Sequence, residues 1–530
     1  MPDDLLHSLH HVTVPDWLRR QAQRHGTRLA LSAPSHRGHR DRLGYTQLVE
    51  RMDAMARGLH ARGLRRGDRL ALMLPNTAAL EGVLTALGCW RMGAAVSPLN
   101  PSASDDELRH ALALLEPRRV VVRGPLDADR LEALGLAPGH LLLLDDSEET
   151  CRSWPDPKDL PAGDMPTDCQ ASPNDLSCLL FTSGTTARAK AVMHTHRTQL
   201  HTGLAMGSAM GLRDDDIYQG SWPLHTSSVL NLACMSAWVH GACVSIEENT
   251  LDNGGRLRLI ASEACTVYHS VPAPLHFLID EFERNRYDVS RVRRVVYGGA
   301  TMPLEVIELY ARLWPQADQV QVWGMTETGP AGTALPPHML PRQAGAIGLA
   351  QPGCAIRILE DCDGPVLRDA PAGEIGEIAF SGPSASPGYF RNAEATAETF
   401  VDGWVLTGDL GRIDRERVLH FIDRKKDIIN RGGLKLSSAA IEEALYRFDG
   451  ISEAAVIAIP HPKLGEDVAA CVVARDPDAL DLGALEQHCS RILAANQVPR
   501  AWFLLPALPR NALGKVLKRE LRDSVLKSPT

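Results

Sequence analysis

A run of hydroxyl-bearing residues follows the apolar residues 179–181 and precedes a basic residue, Lys190. Hydroxyls and backbone N–H groups at the end of a strand can converge on an anion, and a lysine can add positive charge. The spacing differs from that of a Walker A loop, which excludes the ATPase and kinase mechanisms that depend on one. Taken alone, the run predicts either a phosphate site or a polar surface turn. It comprises Thr182, Ser183, Gly184, Thr185 and Thr186.

A second group of candidate residues lies in residues 322–329, VWGMTETG, after a predicted strand. Trp323 could stack on a base, Thr326 could contact a phosphate, and Glu327 could hold a hard cation through oxygen. The alternative is a strand end that carries a solvated glutamate. The stretch by itself leaves both interpretations open.

Two later stretches carry charged residues beside glycine turns. Asp409 follows a glycine and suits the diol of a ribose, while Arg424 can donate to sugar hydroxyls or phosphate in a fork. Lys515 follows Gly514 ahead of a basic helix, where it could swing into a site and meet developing negative charge. The alternatives are a β-turn with an ordinary surface ion pair and a solvated lysine.

Strands and helices alternate along the first three quarters of the chain. From Tyr45 a helical stretch is followed by the strand RLALMLP, a second helix and the strand AAVSPLN. A capping box at Ser104 and Glu107 begins a further helix with apolar residues at i, i+3, i+4 and i+7 spacing. This alternation predicts an α/β fold with doubly wound, mostly parallel sheets, whereas the proline-rich residues 154–174 predict an exposed connection.

The pattern changes after Gly373 to short strands and turns, and past Arg424 a helix, two strands and a last helix follow. With 530 residues the chain exceeds the size at which one core keeps growing. We therefore expect a large N-terminal domain that includes a small β-rich subdomain, residues 1–423, and a small mobile α+β C-terminal domain, residues 424–530.

The composition excludes several classes of function. A net charge of -9 with 44% apolar and 23% charged residues is ordinary for a soluble globular protein and gives no general attraction to nucleic acid. The eleven cysteines lack zinc-site spacing, and the sequence shows neither a secretory signal nor an apolar run long enough to span a bilayer. We expect a cytoplasmic protein with reduced thiols, no nucleic-acid partner and no transmembrane segment. The oligomeric state, monomer or homodimer, stays open.

Four separated motifs resemble those of the adenylate-forming superfamily, in the same order along the chain. This superfamily comprises the acyl- and aryl-CoA synthetases, the adenylation domains of peptide synthetases, and luciferase. The motifs are TSGTTARAK, WGMTE, the pair TGD and DRKKD, and LGK, with YGGA, GAIGLAQPG, SPGYF, LGEDVAA and VPRAWF in the expected gaps. The resemblance extends from about Trp17 to Leu521 and is greatest to a stand-alone carboxylic acid–CoA ligase.

The resemblance implies a reaction in two steps. The carboxylate of an acid attacks the α-phosphate of ATP, giving an acyl-adenylate and pyrophosphate, and the thiol of coenzyme A then displaces AMP. The loop from Thr182 to Lys190 would hold the β- and γ-phosphates, and Glu327 would hold Mg²⁺. Trp323, where the family usually has tyrosine, would lie against adenine, and Thr326 would contact the α-phosphate. The residues that would line the base and the acyl group are Gly298, Gly299 and Ala300.

The same resemblance assigns the residues of the C-terminal part. Asp409 would take the two ribose hydroxyls, Arg424 would reach the ribose region, and Lys515 would bridge the phosphate and carboxylate oxygens of the adenylate. The small domain would then rotate about Lys426, so that the lysine leaves before a thiol arrives. Gly432 and Gly433 would border the thiol channel, together with Gly298, Gly299 and Gly324.

The acyl site is predicted less sharply. His225, in the stretch WPLHTSSVLN, would line or gate it, and the hydroxyls of Thr226, Ser227 and Ser228 hint at a small or polar acid. The alternative for His225 is an ordinary loop histidine. His194 and His196 resemble a metal-binding pair, but a strand or loop is the expected setting and no third ligand is evident.

The chain departs from the family pattern at several positions. Alanines replace glycine at 187, proline at 189 and glycine at 191, and a positive φ at 187 or 191 would cost on the order of 1 kcal/mol each. Ser438 and Ala440 stand where proline and glutamate are usual.

Three functions therefore remain open. The first is a coenzyme A ligase, the second an adenylation enzyme that loads a separate phosphopantetheinyl carrier protein, and the third a catalytically silent nucleotide- or acyl-binding protein. The alanines in the loop motivate the third, but the charged and aromatic site residues all remain. The acceptor, free coenzyme A or a holo carrier protein, distinguishes the first two.

Overall fold

The protein, in a computed structural model, forms two compact units. The first comprises residues 1–343, 348–356 and 380–405, and the second comprises residues 344–347, 357–379 and 406–530. The predicted boundary at residue 424 marks a hinge for domain motion and stays a prediction. The structure describes residues 9–145, 152–160, 163–167, 169–182, 189–270, 278, 281–282, 285, 287–299, 304–340, 342–360, 367–477, 479–510 and 516–527.

Helices occur in both units. The described α-helices are α1 (Val14–His25), α2 (Tyr45–Ala61), α3 (Ala79–Met92), α4 (Asp105–Leu115), α5 (Ala128–Leu134), α6 (His196–Met210), α7 (Met235–His240), α8 (Asn253–Ser262), α9 (Leu304–Leu313), α10 (Ala393–Thr399), α11 (Ser438–Tyr446), α12 (Leu482–Ile492) and α13 (Lys518–Lys527). Short 3₁₀ turns cover Asn76–Ala78, Pro138–His140 and Thr326–Thr328, and a π-helical segment covers Ser228–Cys234.

The strands before residue 351 are β1 (Leu29–Pro34), β2 (Arg40–Gly44), β3 (Arg69–Met73), β4 (Ala95–Pro98), β5 (Arg119–Val122), β6 (Leu141–Leu143), β7 (Arg152–Ser153), β8 (Leu176–Thr182), β9 (Lys190–Thr195), β10 (Ile217–Gly220), β11 (Cys243–Ile246), β12 (Val267–Ser270), β13 (Arg294–Gly298), β14 (Asp318–Gly324), β15 (Gly332–Leu335) and β16 (Leu349–Ala350). The later strands are β17 (Ala355–Leu359), β18 (Gly376–Ser381), β19 (Phe400–Val401), β20 (Trp404–Ile413), β21 (Leu419–Arg424), β22 (Ile429–Arg431), β23 (Leu434–Leu436), β24 (Ile451–His461), β25 (Gly465–Ala474) and β26 (Ala501–Leu504).

Two sheets form the framework of the first unit. One has nine strands in the order β16-β15-β14-β13-β12-β10-β11-β1-β2, and the other has seven in the order β7-β6-β5-β3-β4-β8-β9. The central pairs of both sheets are parallel, and the antiparallel pairs lie at the edges. The predicted class, α/β with mostly parallel sheets, is confirmed.

Helices cover these strands, so several central strands are buried over their whole length. Every residue of β5, β11 and β12 is buried. The large indole side chains are buried with their polar atoms satisfied: Trp90 Nε1 donates to Ser177 O at 2.7 Å, and Trp238 Nε1 donates to Ala30 O at 2.9 Å. A continuous core thus supports both sheets.

The second unit has its own core around a sheet in the order β23-β22-β25-β24, with β26 beside β25. One face packs on α11 and α12 through Ile441, Leu445 and Leu485, and the other packs on α13 through Leu521 and Val525. A further sheet, in the order β17-β18-β20-β19 with β21 beside β20, is formed by residues 355–424.

Local predictions are confirmed in α4 and wrong in the connection after β7. Ser104 and Glu107 form the capping box, and the buried residues of α4 are those at the predicted spacing. The connection of residues 154–174 is anchored rather than simply exposed, because Trp154 is buried and donates to Thr85 Oγ1 at 2.9 Å. Among the described residues, none of the helices is long and apolar enough to cross a membrane.

Candidate active site

Four parallel strands, neighbours in the nine-stranded sheet, end at the same edge. β10, β12, β13 and β14 end at Gly220, Ser270, Gly298 and Gly324. Ligands of open α/β sheets bind at the carboxyl ends of the strands. The edge therefore brings the predicted YGGA and WGMTE stretches together with the loop that follows β10.

Glycine is required at three predicted positions of this edge. A Cβ on Gly298 would lie 2.5 Å from Val322 O, and one on Gly324 would lie 2.5 Å from Pro330 O. Gly299 has a φ of +80°, in the left-handed region. These three glycines lie at the carboxyl ends of β13 and β14, where they leave backbone uncovered by side chains. Ala300 lies outside the described residues.

The acidic residue predicted to hold a metal lies on the short turn Thr326–Thr328, directly after β14. Glu327 is 6% exposed, although its backbone belongs to a loop. Thr326 Oγ1 donates to Ser227 Oγ at 3.3 Å, so the turn contacts the loop that carries His225. The structure thus joins the predicted phosphate-contacting residue to the predicted acyl site.

Trp323, the next-to-last residue of β14, lies three residues before this turn and is half-buried. It faces Thr333 across β14 and β15. Gly332 leaves room for the indole, because a Cβ there would lie 2.7 Å from Trp323 Cε3. The indole therefore has a fixed place beside the strand end, as stacking on a base would require.

Tyr389 connects two predicted residues, and we predicted no role for it. Its hydroxyl donates to Glu327 Oε1 at 2.9 Å, and Lys190 Nζ lies 4.9 Å from the centre of its ring. Burial, together with the charge of Glu327, raises the pKa of the Tyr389 hydroxyl, which therefore stays protonated and able to donate. The only signal in the sequence was the stretch SPGYF, which resembled the family without an assigned role.

The predicted phosphate loop connects the antiparallel strands β8 and β9, and the connecting residues 183–189 are called the hairpin tip. Thr182 and Lys190 face each other where β8 and β9 begin to pair. The hairpin places both residues at the base of the tip, with Lys190 directed at Tyr389. The other predicted residues of the tip, Ser183, Gly184, Thr185 and Thr186, lie outside the described residues.

Alanine at 191 carries no backbone strain. Ala191 lies within β9 opposite Phe181, and its carbonyl accepts from Phe390 N at 2.8 Å. It is absent from the described non-glycine residues with positive φ, so the condition for that cost is not met at 191. Ala187, the other position concerned, lies outside the described residues.

His225 lies half-buried between β10 and the π-helical segment Ser228–Cys234. Asn76, which we did not predict, holds this loop: its Nδ2 donates to Trp222 O at 2.6 Å, and its Oδ1 accepts from Leu224 N at 2.8 Å. Burial lowers the pKa of His225 to about 4, so the imidazole is neutral near pH 7. Asn76 was missed because it lies far away in sequence.

Two of the three hydroxyls after His225 serve this loop. Thr226 Oγ1 donates to Pro223 O at 2.8 Å, and Ser227 Oγ accepts from Thr326. These contacts account for two of the hydroxyls that hinted at a polar acid.

His194 and His196 are buried and neutral. Burial lowers the pKa of His194 to about 3 and that of His196 to about 4. His194 lies in the strand β9, as expected, whereas His196 is the first residue of the helix α6 rather than part of a strand or loop. Across the part of the chain that the structure describes, no group of three or more His, Cys, Asp or Glu side chains could hold a metal.

In the second unit, the two predicted ribose-binding residues are brought together. Asp409 and Arg424 face each other on the antiparallel strands β20 and β21, and Arg424 Nε lies 3.1 Å from Asp409 Oδ1. The Asp409 side chain is almost fully buried, whereas that of Arg424 is about one-third exposed. Gly408, with a φ of +69°, lies beside them within β20.

The predicted hinge and channel residues of the second unit lie on turns. Lys426 is exposed in the turn between β21 and β22, where Asp427 N donates to Arg424 O at 2.9 Å. Gly432 and Gly433 form the next turn with φ of +61° and +89°. Lys515 lies outside the described residues.

The family follows from two matches along the chain. Residues 18–390 match the family described as AMP-binding enzyme, and residues 440–515 match the AMP-binding enzyme C-terminal domain. The chain belongs to the AMP-binding enzymes. The predicted resemblance is therefore confirmed.

Similar proteins agree over their full length. The feruloyl-CoA synthase of an Amycolatopsis species is 32% identical over 91% of this chain and 93% of that protein. Among solved structures, the o-succinylbenzoate CoA synthetase of Bacillus subtilis, in complex with an acyl-adenylate intermediate, has a TM-score of 0.83 at 26% identity and covers 98% of this chain and 99% of that one. ATP-bound MatB from Rhodopseudomonas palustris has a TM-score of 0.85 at 27% identity, with coverage of 97% and 99%. The predicted enzyme class, an AMP-forming acid–CoA ligase that acts through an acyl-adenylate, is confirmed.

The departure of this AMP-binding enzyme at Ser438 has a structural explanation. Ser438 N and Oγ both donate to Asp423 Oδ2, at 2.6 and 2.8 Å. Lys518 Nζ in turn donates to Ser438 Oγ at 2.7 Å. The serine thus adds hydrogen bonds that a proline cannot make, and it fixes the start of α11.

Buried histidines make the first unit of this AMP-binding enzyme sensitive to acid. Burial lowers the pKa of His269 from its ordinary value of 6.5 to about 3. The His269 side chain is therefore neutral in the folded protein, whereas in the unfolded chain it takes up a proton below pH 6.5. Its contribution to the free energy of unfolding is complete above pH 6.5 and is lost as pH falls towards 3. One such histidine should lower the free energy of unfolding by about 2 kcal/mol between pH 7 and pH 5.

Between pH 7 and pH 5, the free energy of unfolding of His269→Gln should fall by about 2 kcal/mol less than that of the wild type, because glutamine takes up no proton. Urea unfolding at pH 7 and pH 5 measures this difference. His39→Gln, at a side chain that is 48% exposed, is the matched control. An equal loss in His269→Gln and wild type would contradict the prediction.

Proposed function

We propose that the first unit binds ATP with its phosphates between the hairpin tip and the turn Thr326–Thr328. The observation that carries this proposal is the connection of Lys190 to Glu327 through Tyr389. A cation and a buried carboxylate that contact the same tyrosine suit a triphosphate, since the first neutralises phosphate oxygens and the second holds their counterion.

The residues around Glu327 fit Mg²⁺. Magnesium is usually held by one or two carboxylates together with substrate phosphates and waters, so a single buried carboxylate suffices. Glu327 provides that carboxylate in a fixed position, and Thr326 places a hydroxyl beside it. When bound, the ion would neutralise charge on the phosphates.

In the first step, a carboxylate oxygen of the acid forms a bond to the α-phosphorus. The bond from the α-phosphorus to the oxygen bridging to the β-phosphorus breaks, and pyrophosphate leaves with the electron pair. Thr326 would donate to the α-phosphate, and Lys515 would meet the charge that develops between phosphate and carboxylate. Trp323 would hold the adenine, and Asp409 with Arg424 would bind the ribose.

Arg424 and Asp409 support this role by their burial and pairing. A buried carboxylate that is paired with a guanidinium is held in place, so it could accept both ribose hydroxyls without reorganising. The partly exposed guanidinium retains donors for the sugar or the phosphate.

In the second step, the thiol of coenzyme A attacks the acyl carbonyl, its proton is released, and AMP leaves. We propose that the second unit reorients about Lys426, withdrawing Lys515, and that the glycines at 432 and 433 border the thiol channel. The left-handed glycine turn supports this role because it exposes backbone without side chains. His225, neutral at pH 7, would line the acyl site without adding charge.

The adenylation step is tested by acid-dependent exchange of pyrophosphate into ATP, screened over acetate, fatty acids, benzoates, cinnamates, dicarboxylates and betaine-like acids. We expect exchange with at least one acid, and Lys515→Ala should lower it by about 10²- to 10³-fold, because one preorganised charge-stabilising donor is lost. Lys463→Ala, at an exposed lysine of the second unit, should leave exchange unchanged. Wild-type exchange in Lys515→Ala would refute the role of Lys515, and no exchange with any acid would favour a silent binding protein.

The hinge is tested by separating the two half-reactions. Lys426→Pro should keep acid-dependent exchange and lose formation of the acyl-CoA thioester, because proline restricts the backbone at the point of rotation. Lys426→Ala, which keeps that freedom, should retain both. Equal loss of the two half-reactions in Lys426→Pro would rule out a hinge at this position. Thioester formation by the wild type with a holo carrier protein but not with free coenzyme A would identify the carrier protein as the acyl acceptor.

A further inference from the structure

We propose that Tyr389 is a positioning residue for adenylation, which holds the metal-binding carboxylate with its hydroxyl and the phosphate-binding lysine with its ring. This inference rests on the proposed binding of Mg²⁺ and ATP at Glu327 and Lys190. Tyr389 itself touches neither the acid nor the reacting phosphorus in this scheme. It acts through the two side chains that it contacts.

The hydroxyl end fixes the orientation of Glu327. Tyr389 Oη donates to Glu327 Oε1 at 2.9 Å, and both side chains are buried, at 7% and 6% exposure. A carboxylate with one oxygen held in this way presents its remaining lone pairs in a set direction. Side chains that hydrogen-bond to a metal ligand commonly orient that ligand and tune its affinity.

The ring end faces Lys190. The ammonium nitrogen lies 4.9 Å from the ring centre, within the range of an attractive cation–π interaction. Lys190 is the first residue of β9, so its backbone is fixed by pairing with Thr182. The ring therefore limits the directions in which the ammonium group can extend from the hairpin.

The backbone of Tyr389 is held on several sides. Its N donates to Thr396 Oγ1 at 3.0 Å, and the residue bridges to Val192 of β9. The neighbouring Phe390 N donates to Ala191 O at 2.8 Å. The ring also packs edge-on against Phe400, with 5.6 Å between centres.

Tyr389 is therefore a rigid spacer between the hairpin base and the turn after β14. One side chain sets the distance from the lysine to the carboxylate, and the two ends can be separated by mutation. Tyr389→Phe keeps the ring over Lys190 and removes the hydroxyl, with its hydrogen bonds to Glu327 and Thr399. The change removes one oxygen atom and leaves the packing of the ring intact.

The test is calorimetric binding of ATP at increasing Mg²⁺ concentration. Tyr389→Phe should raise, by about 10-fold, the Mg²⁺ concentration that gives half-maximal enhancement of ATP binding. Mutating a residue that hydrogen-bonds to a metal ligand commonly lowers metal affinity by about this factor. ATP binding in the presence of a chelator should not change, because Lys190 and the ring remain. Tyr446→Phe, which removes a tyrosine hydroxyl bonded to Ala454 O in the second unit, is the matched control and should leave both measurements unchanged.

A second measurement shows whether the effect passes through Glu327. In a Glu327→Gln background, Tyr389→Phe should add no further Mg²⁺ dependence, because the carboxylate that it orients is gone. Thermal unfolding of each variant confirms that it is folded.

Three outcomes would overturn the inference: an unchanged Mg²⁺ requirement in Tyr389→Phe, an equal loss of ATP binding with and without Mg²⁺, or a full additional effect in the Glu327→Gln background. Failure of the proposed function is distinguishable, since the wild type would then show no Mg²⁺-dependent ATP binding.

Discussion

The local structure of the first unit around the candidate site depends on hydrogen bonds to the buried side chain of Glu327. A charge removed from water needs compensating hydrogen bonds where it lies, because an unpaired buried charge is strongly unfavourable. Tyr389 Oη donates one such bond to the carboxylate, and Ser386 N, in the same segment, donates to the backbone carbonyl of Glu327. The same segment pairs with β9, where Met193 N donates to Gly388 O at 3.0 Å. The segment that hydrogen-bonds to the carboxylate thus also fixes the base of the hairpin formed by β8 and β9.

A second buried acid plays the corresponding part in the second unit. Asp423 accepts from the backbone and side chain of Ser438 at the start of α11, while its neighbour Arg424 extends to Asp409. Adjacent residues of β21 therefore serve different purposes, since one anchors a helix and the other belongs to the candidate site. The turn with Lys426 follows immediately, so a rigid strand end borders the proposed point of rotation.

The class of fold could be predicted from the sequence, and the structure brings several predicted site residues to one edge of the nine-stranded sheet. Strand and helix alternation reflects burial on both faces of parallel strands, and the capping box at Ser104 is a local signal. The motif with Glu327 follows the end of β14, where residue type and position together indicate chemistry, whereas Asp409 lies within β20. Contacts between distant residues could not be predicted in this way: Asn76 clamps the loop of His225, and Tyr389 reaches Glu327, through pairings that only the folded chain creates. The buried setting of Trp154 was missed because prolines around it indicate a loop but not where the loop is anchored.

The hairpin also resolves how a loop poor in glycine can serve a nucleotide. Ala191 lies in a strand, where alanine is unstrained, and its carbonyl is used by Phe390. The pairing of Thr182 with Lys190 closes the base of the hairpin tip, and the ring of Tyr389 contacts the Lys190 ammonium group and limits the directions in which it can extend. The geometry at the base is therefore set by strand pairing and by a buried aromatic ring rather than by glycine conformations. Alanine at 191 leaves these constraints intact, so the departure from the family pattern there is compatible with phosphate binding.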